Sequence, residues 1–287
     1  MLLVFCVQIE FLKGKIKMKS IELVCKVGST ALLNKKKTRI DRDVFKNIAS
    51  SMTSSGVLVT SGAVEMGKLD VLRKGKDLAE FTKADLASGG HDLVLAEYRK
   101  HFHKGLFVKG LLIEHWHFND IERRKELEKF ILRGLCQESI TVINYNDALD
   151  NEELRKMEIA DIQARRREVF DGTDNDETAV SVAKLVKAKV LLLLTQLGGI
   201  RKNKDDEKTH IHEICGRTVE ETIAKIKQAQ SFCNGASREG AFGAAAKLEY
   251  IIDAVQNGID VFIGDARNDI KDTISGRAKS TRIAVEK

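Results

Sequence analysis

Apolar residues along the chain fall into short continuous runs, separated by longer segments in which apolar positions recur with the period of a helix. Several runs are apolar at every position, as expected for strands covered by helices on both faces. The predicted strands are 21–27, 56–61, 106–113, 140–144, 190–195 and 259–264. The predicted crossover helices lie near 41–55, 84–103, 119–135, 174–188, 218–230 and 243–257. The pattern predicts an α/β fold, a three-layer α/β/α sandwich around an open and mainly parallel central sheet.

The segment 149–170 departs from this rhythm because it is highly charged and prone to form a helix. It is either a solvated surface helix or a lid or oligomer contact near a functional site. No repeat or Gly/Ser-rich linker divides the chain, so we predict one domain over 20–287, with halves of about 20–170 and 171–287. Residues 1–19 are interpreted as an N-terminal extension, either an added strand or a disordered tail.

Composition narrows the function classes. With 287 residues and 43% hydrophobic content, the chain can bury a large core. The net charge of +6 is dispersed along the sequence and does not favour nucleic-acid binding. The five cysteines include no C-x-x-C pair, so we expect reduced thiols and neither a disulfide framework nor a zinc ribbon. The apolar start is too short to span a bilayer, and we predict a cytoplasmic protein without membrane contact.

Two motifs place small residues directly after a strand. In VCKVGSTALL at 24–33, Lys26 ends the strand, and Gly28 and Ser29 form a turn whose N–H groups and hydroxyl can face an anion. In VTSGAVEMG at 59–67, the turn Ser61–Gly62–Ala63 lets a ligand approach the backbone closely. An ordinary strand-to-helix turn would explain either motif equally well.

Two further motifs carry polar and glycine-rich turns. The segments VINYNDAL at 142–149 and DGTDNDET at 171–178 follow apolar runs, where open α/β sheets bind ligands. Their polar residues are Asn144, Asn146, Asp147, Asp174, Asn175 and Asp176. Asp174 is also a candidate N-cap for the next helix. The segments LLLLTQLGGI at 191–200 and GAFGAAAKL at 240–248 predict a glycine loop and Lys247 closing over phosphates, or else an ordinary loop and a helix-face lysine.

These four motifs, in this order, resemble the amino acid kinase family over about residues 20–285, and within it the glutamate 5-kinases. The resemblance implies ATP-dependent phosphoryl transfer to the γ-carboxylate of glutamate, the first step of proline biosynthesis, with Mg²⁺ carried by ATP. It also implies a homo-oligomer and, as pathway partner, a reductase that consumes glutamyl phosphate. The RNA-modification-like C-terminal domain of many bacterial members is not expected in this chain.

The resemblance also implies roles for individual residues. Lys26 and Lys247 would neutralise the transferring phosphoryl group, with Asp176 holding them. The implied acceptor-binding residues are Ser61, Gly62, Ala63, Asp147 and Asn175. The implied nucleotide-binding residues are Gly28, Ser29, Thr195, Gln196, Gly240, Gly243 and Lys247.

The chain departs from the family pattern at Tyr145, at Gln196, in the Phe242–Gly243–Ala244 loop and at His91. Two alternatives therefore stay open. One is a kinase of the same fold that acts on UMP or another acid, and the other is a non-catalytic sensor of a nucleotide or amino acid. Three His-x-His pairs invite a metal interpretation, but no third ligand groups with any pair, and we predict no metal site in the protein itself. The pairs are His101/His103, His115/His117 and His210/His212.

Overall fold

The computed structural model describes residues 9–12, 15–18, 20–164, 169–171, 174–203, 206–232 and 243–286. The strands are β1 Ile9–Leu12, β2 Lys15–Met18, β3 Leu23–Val27, β4 Gly56–Thr60, β5 Phe107–Ile113, β6 Ser139–Tyr145, β7 Val190–Thr195, β8 Ile200–Arg201, β9 His210–Ile211, β10 Glu213–Gly216, β11 Asp260–Asp265 and β12 Ser280–Val285. The α-helices are α1 Arg42–Ser51, α2 Ala63–Arg73, α3 Lys83–Arg99, α4 Trp116–Asn119, α5 Ile121–Leu132, α6 Glu152–Gln163, α7 Asn175–Leu185, α8 Val219–Gln230, α9 Gly243–Gln256 and α10 Ile270–Ile274. Short 3-10 helices lie at Ser29–Leu32, Leu78–Glu80, Arg133–Leu135 and Glu207–Thr209.

The central sheet has eight strands in the order β10-β12-β11-β7-β3-β4-β6-β5. The six strands from β11 to β5 are parallel, and β12 runs antiparallel to β11. From β3 the chain first builds the sheet in one direction, through β4 and β6, and later in the other, through β7 and β11. The strand order therefore reverses between β3 and β7, and ligands of open α/β sheets bind at the carboxyl ends of strands at such a point.

Two hydrophobic layers cover the sheet. Val24 and Cys25 are neighbours on β3, yet they belong to different core clusters, because successive side chains of a strand point to opposite faces. Every residue of β4 and β6 is buried. The predicted α/β/α sandwich with a mainly parallel sheet is confirmed, and each of the six predicted strands is present within two residues of its expected bounds.

Several elements were not predicted. Helix α2 and the strands β10 and β12 are absent from the sequence-based assignment. Strands β1 and β2 pair with each other as a separate antiparallel hairpin, and β8 and β9 form a second one. Within the described ranges, no helix is both long and apolar enough to cross a membrane.

Candidate active site

A buried cluster of three charges lies at the carboxyl end of β3. The Nζ atom of Lys26 lies 2.5 Å from Oδ1 of Asp176, and Nζ of Lys247 contacts the other carboxylate oxygen, Oδ2. Lys26 is the penultimate residue of β3, Asp176 is in the first turn of α7, and Lys247 is in the second turn of α9. Three elements that are distant in sequence thus place their charged side chains together, in the grouping that the resemblance implied.

Burial removes the charges of this cluster from water, since Lys26 is only 6% exposed and Asp176 only 5%. Burial alone would raise the pKa of Asp176, but Lys247 and Lys26 outweigh it and hold that pKa well below its usual range. Burial lowers the pKa of Lys247, and Asp176 opposes this effect. With both lysines protonated, the cluster carries one excess positive charge away from water, which favours an anion beside it.

The start of α7 connects the charge cluster to the small-residue turn after β4. Asp174 caps the helix by accepting a hydrogen bond from the Asp176 amide, as predicted. Asn175 donates from Nδ2 to Oγ of Ser61 at 3.0 Å and lies 3.5 Å from Oδ1 of Asn144. The Oδ1 atom of Asn175 is buried without a hydrogen-bond partner among the described residues. A buried acceptor of this kind suits a ligand that brings an N–H or O–H donor.

A pocket of about 230 Å³ opens beside this turn. Its lining includes Ala63 and Asp147, two of the implied acceptor residues, and both His91 and Tyr145, where the chain departs from the family pattern. The other lining residues are Ala87, Ser88, Asp92, Leu112, Asn144, Asn146 and Ala148. Two of the residues that distinguish this chain therefore line one pocket together with two of the implied acceptor residues.

Titratable groups in the pocket have shifted pKa values. Burial raises the pKa of Asp147, Lys83 opposes this, and the nearby carboxylates of Asp150 and Glu65 add to it. Burial lowers the pKa of His91, so its imidazole is neutral at pH 7. Burial raises the pKa of Tyr145, whose Oη donates to Oδ1 of Asp150 at 3.4 Å. The pocket is thus polar, and its lining includes the carboxyl groups of Asp147 and Asp92.

Glycines position the small-residue turn Ser61–Gly62–Ala63, which we call the acceptor turn. Gly62 has φ of +99°, in the left-handed region that favours glycine, and it is the N-cap of α2. Helix α3 crosses α2 so closely that a Cβ on Gly90 would lie 1.8 Å from the carbonyl oxygen of Ala63. A Cβ on Gly67 would lie 2.0 Å from the carbonyl oxygen of Leu86. The helix that carries His91 is therefore held against the turn that contains Ala63.

The implied nucleotide residues lie on the other side of β3. The Gly28 amide donates to the carbonyl of Leu194 at 3.2 Å, so this N–H is already used within the protein. A Cβ at Gly28 would make only ordinary contacts, 3.8 Å from the Leu194 carbonyl oxygen and 3.9 Å from Nζ of Lys26. Ser29 is buried at the start of a 3-10 helix. These two residues border the charge cluster, but the hydrogen-bonded Gly28 amide is not available to bind an anion.

The loop after β7 faces this turn. Nε2 of Gln196 donates to the carbonyl oxygen of Thr30 and so connects the two loops. Oγ1 of Thr195 accepts from the Leu197 amide at 3.2 Å. Gly243 begins α9, the helix of Lys247, whereas Gly240 and Phe242 lie outside the described residues.

Two residues near the pocket, Lys83 and Arg155, were not among the site residues predicted from the sequence. Nζ of Lys83 lies 3.3 Å from Oδ1 of Asp147. Arg155 of α6 is only 7% exposed, and its Nη1 bonds Oδ2 of Asp150 while its Nε lies 3.7 Å from Oδ1 of Asp171. A signal existed for Lys83, because it is spaced by four and eight residues from Ala87 and His91 on one helix. No signal in the sequence separates Arg155 from its charged neighbours.

No group of three His, Cys, Asp or Glu side chains is placed to hold a metal ion, as far as the described residues go. His210 and His212 contact each other edge to face, with ring centroids 4.6 Å apart. Within the described part of the chain, Cys25, Cys136 and Cys215 lie outside any disulfide.

Sequence comparison relates this chain to enzymes of one kind. Glutamate 5-kinase from Prochlorococcus marinus (strain MIT 9301) is 29% identical over 259 residues, covering 85% of this chain and 65% of that enzyme. The Streptococcus suis (strain 05ZYH33) enzyme of the same name is 27% identical over 258 residues, covering 86% and 65%. The one from Bacillus cereus (strain ZK / E33L) is 25% identical over 279 residues, covering 93% and 69%. The chain spans about two thirds of the length of these curated relatives.

Solved structures with the same fold include two kinases. UMP kinase from Ureaplasma parvum has a TM-score of 0.52 at 14% identity, covering 94% of this chain and all of that one, 100%. Carbamate kinase from Giardia lamblia bound to AMP-PNP has a TM-score of 0.57 at 12% identity, covering 93% and 99%. At such low identity these similarities establish the fold alone. A model of the amino acid kinase family matches residues 22–265, which is most of the chain. The chain belongs to the amino acid kinase family.

Proposed function

We propose that this protein is an ATP-dependent kinase that phosphorylates the γ-carboxylate of glutamate. The observation that carries this proposal is the buried cluster of Lys26, Asp176 and Lys247, which adjoins the 230 Å³ polar pocket through Asn175 and Ser61. A site for phosphoryl transfer needs positive charge beside a bound acceptor. The cluster supplies the positive charge, and the pocket supplies the space for the acceptor.

The proposed reaction forms one bond and breaks one. A carboxylate oxygen of the acceptor attacks the γ-phosphorus of ATP, the bond from that phosphorus to the bridging oxygen breaks, and ADP leaves with the electron pair. The nucleophile is already an anion at pH 7, so no general base is required. Lys26 and Lys247 would stabilise the charge on the transferring group, and Asp176 would fix their positions. Mg²⁺ bound to the ATP phosphates would supply further charge neutralisation.

The size of the pocket favours a small acceptor. Cavities of about 150 Å³ admit ligands of about six non-hydrogen atoms, so 230 Å³ corresponds in proportion to about nine. Glutamate has about ten such atoms and UMP about twice as many, which makes glutamate the better match. The pocket therefore favours glutamate over the UMP alternative.

The chemistry of the pocket favours an amino acid as well. Asp147 lines the pocket, and Asn175 lies next to the lining residue Asn144 with its Oδ1 unpaired. Both oxygens are acceptors suited to an ammonium group. An arginine-rich pocket would favour a nucleotide acceptor with its phosphate, and the described lining of this pocket includes no Arg. The names of the sequence relatives, all glutamate 5-kinases, agree with this choice.

The sensor alternative rests on Gln196, which replaces the Asp of the family pattern. Its side chain bonds the Thr30 carbonyl, a contact that needs an N–H donor and that a carboxylate would not make. This replacement is therefore compatible with an ordered nucleotide site. A sensor would also need such a site, and we favour an active enzyme because Lys26, Lys247 and Asp176 are all retained and lie in contact.

The product of this reaction would be an acyl phosphate, which hydrolyses readily in water. We therefore propose that a reductase consumes it, in the first steps of proline biosynthesis. A homo-oligomeric assembly is proposed from the family resemblance.

The test is turnover with a panel of acceptors: glutamate, aspartate, N-acetylglutamate, carbamate and UMP. Release of ADP is measured for each, and acyl phosphates are trapped with hydroxylamine where they can form. Glutamate should give the highest kcat/KM. Turnover with UMP or carbamate alone would overturn the glutamate assignment, and ATP binding without any turnover would favour the sensor.

A further inference from the structure

An ion pair lies beside the acceptor pocket. Nζ of Lys83 lies 3.3 Å from Oδ1 of Asp147, a residue of the pocket lining. The Asp147 side chain is largely buried, at 26% exposure, whereas that of Lys83 is 72% exposed. Asp147 thus already binds one ammonium group, and the lysine that supplies it can move because most of its side chain is in water.

The backbone fixes Lys83 in this place. Thr82 caps α3 by accepting a hydrogen bond from the Asp85 amide, and the Asp85 carboxylate accepts one from the Thr82 amide in return. Lys83 is the first residue of α3. Positions four and eight residues later on the same helix face are Ala87 and His91, which both line the pocket. Lys83 therefore continues the pocket wall toward solvent.

Charge balance indicates which group of the acceptor Lys83 would bind. A dicarboxylate acceptor must present one carboxylate to Lys26 and Lys247, where the phosphoryl group arrives, and its other carboxylate needs a separate cation. The described lining of the pocket includes no Lys or Arg, and His91 is neutral at pH 7. Lys83 is a cation that pairs directly with a carboxylate of that lining, Asp147.

We propose that Lys83 and Asp147 form a subsite for the head group of a free α-amino acid. Lys83 pairs with the α-carboxylate, and Asp147 pairs with the α-ammonium group. In the absence of ligand the two side chains pair with each other, and the zwitterion inserts between them so that every charge keeps a partner. This inference rests on the proposed function, and it adds that the acceptor must have a free α-carboxylate and a free amine.

Ligands that lack one group each provide the test. Binding of glutamate, of glutarate, which lacks the amine, and of 4-aminobutyrate, which lacks the α-carboxylate, is measured by calorimetry and by competition with glutamate. Lys83→Met should weaken glutamate and glutarate binding by about five- to twentyfold, because a partly exposed charge pair is lost. Binding of 4-aminobutyrate should not weaken, because it has no carboxylate for Lys83 and its ammonium group no longer competes with Lys83 for Asp147.

The complementary variant reverses this pattern. Asp147→Asn should weaken glutamate and 4-aminobutyrate and spare glutarate. Lys83→Arg, which keeps the charge, should restore most of the glutamate affinity. Lys68→Met, at an exposed lysine on the neighbouring helix α2, is the matched control and should leave all three affinities unchanged.

Two outcomes overturn the inference. One is wild-type affinity for glutamate in Lys83→Met, and the other is equal weakening of every ligand that wild type binds, which would indicate a merely structural role. The kinase proposal fails separately. If glutamate binds in a Lys83-dependent way but no acyl phosphate forms, the subsite stands and the proposed reaction does not. If glutamate is phosphorylated and Lys83→Met has no effect, the reverse holds.

Discussion

Asp176 allows two lysines to share a buried space in which either cation alone would be costly. Removing one lysine leaves an ion pair, whereas removing Asp176 leaves two like charges close together and without compensation. Substitution of a lysine therefore tests catalysis more directly than substitution of Asp176, because the loss of one lysine need not unfold the chain.

We expect Lys26→Met and, separately, Lys247→Met to lower kcat by at least about 100-fold, since each removes a charge felt mainly in the transition state. Methionine is unbranched and fills much of the same space, so the fold should persist. Steady-state ADP release measures the effect, and circular dichroism checks the fold. Lys227→Met, at an exposed lysine of α8, is the control. A near-normal rate would exclude that lysine from the mechanism.

Acidification should weaken acceptor binding through Asp147. Its pKa is raised, so the carboxyl takes up a proton at a pH above its ordinary value of 3.8, and the neutral acid no longer attracts an ammonium group. The KM for glutamate should therefore rise as the pH falls through the raised pKa.

The pH profile of Asp147→Asn is compared with that of the wild type. Protonation of glutamate itself affects both proteins equally, so a difference between the two profiles is due to Asp147. The KM of this variant for glutamate should be higher at neutral pH and should lack the rise due to Asp147. Superimposable pH profiles for the two proteins would show that Asp147 does not bind the amine.

At the scale of elements, the crossing of α2 and α3 positions the acceptor turn. Gly90→Ala would place a Cβ 1.8 Å from the Ala63 carbonyl oxygen, so the helices must separate. We expect a loss of about 1–3 kcal/mol in the free energy of unfolding. The KM for glutamate should rise more than the KM for ATP, because Ala63 lines the acceptor pocket.

Gly89→Ala is a matched control on the same helix, where a Cβ meets no atom within 4 Å. It should stabilise the protein by about 0.5–1 kcal/mol, because alanine favours the helix. Thermal unfolding and steady-state kinetics measure both variants. If Gly90→Ala resembles Gly89→Ala, the tight crossing does not constrain the site.

Helix α6 combines features of both interpretations offered for 149–170. Its buried side, with Arg155 and Ile159, attaches it to the protein, while Leu154 and Met157 on its other side are exposed. Arg155 bonds Asp150, which accepts from Tyr145 of the pocket wall. The segment is therefore amphipathic and connected to the acceptor pocket, and its role as a lid stays a prediction.

For the whole molecule, the sequence predicts the elements better than their contacts. Strands that are apolar throughout, such as β7, are evident because both faces are buried. Strand β12 was missed because Thr281 and Arg282 interrupt its apolar pattern, and β10 because it has only four residues. The grouping of Lys26, Asp176 and Lys247 follows from the family resemblance and not from any local pattern. The Lys83–Asp147 contact joins residues 64 positions apart, and its only local signal is the spacing of Lys83 from His91.

The two halves of the sheet meet between β3 and β7, with the implied nucleotide residues on one side of Lys26 and the acceptor pocket on the other. Separate but adjoining sites make a prediction about ligand-dependent stability. Each ligand binds the folded state, so at about 100 times its Kd each should stabilise by about 2.7 kcal/mol. For a chain of this size that corresponds to an increase in Tm of roughly 5 °C or more.

Thermal unfolding with a non-hydrolysable ATP analogue and Mg²⁺, with glutamate, and with both together measures this effect. The combined stabilisation should exceed either single effect, because the ligands occupy different space. Lys83→Met should lose part of the increase due to glutamate and keep the full increase due to the nucleotide. If the pair of ligands gives no more than the larger single effect, the two compete for one pocket, and the division of the site at β3 is wrong.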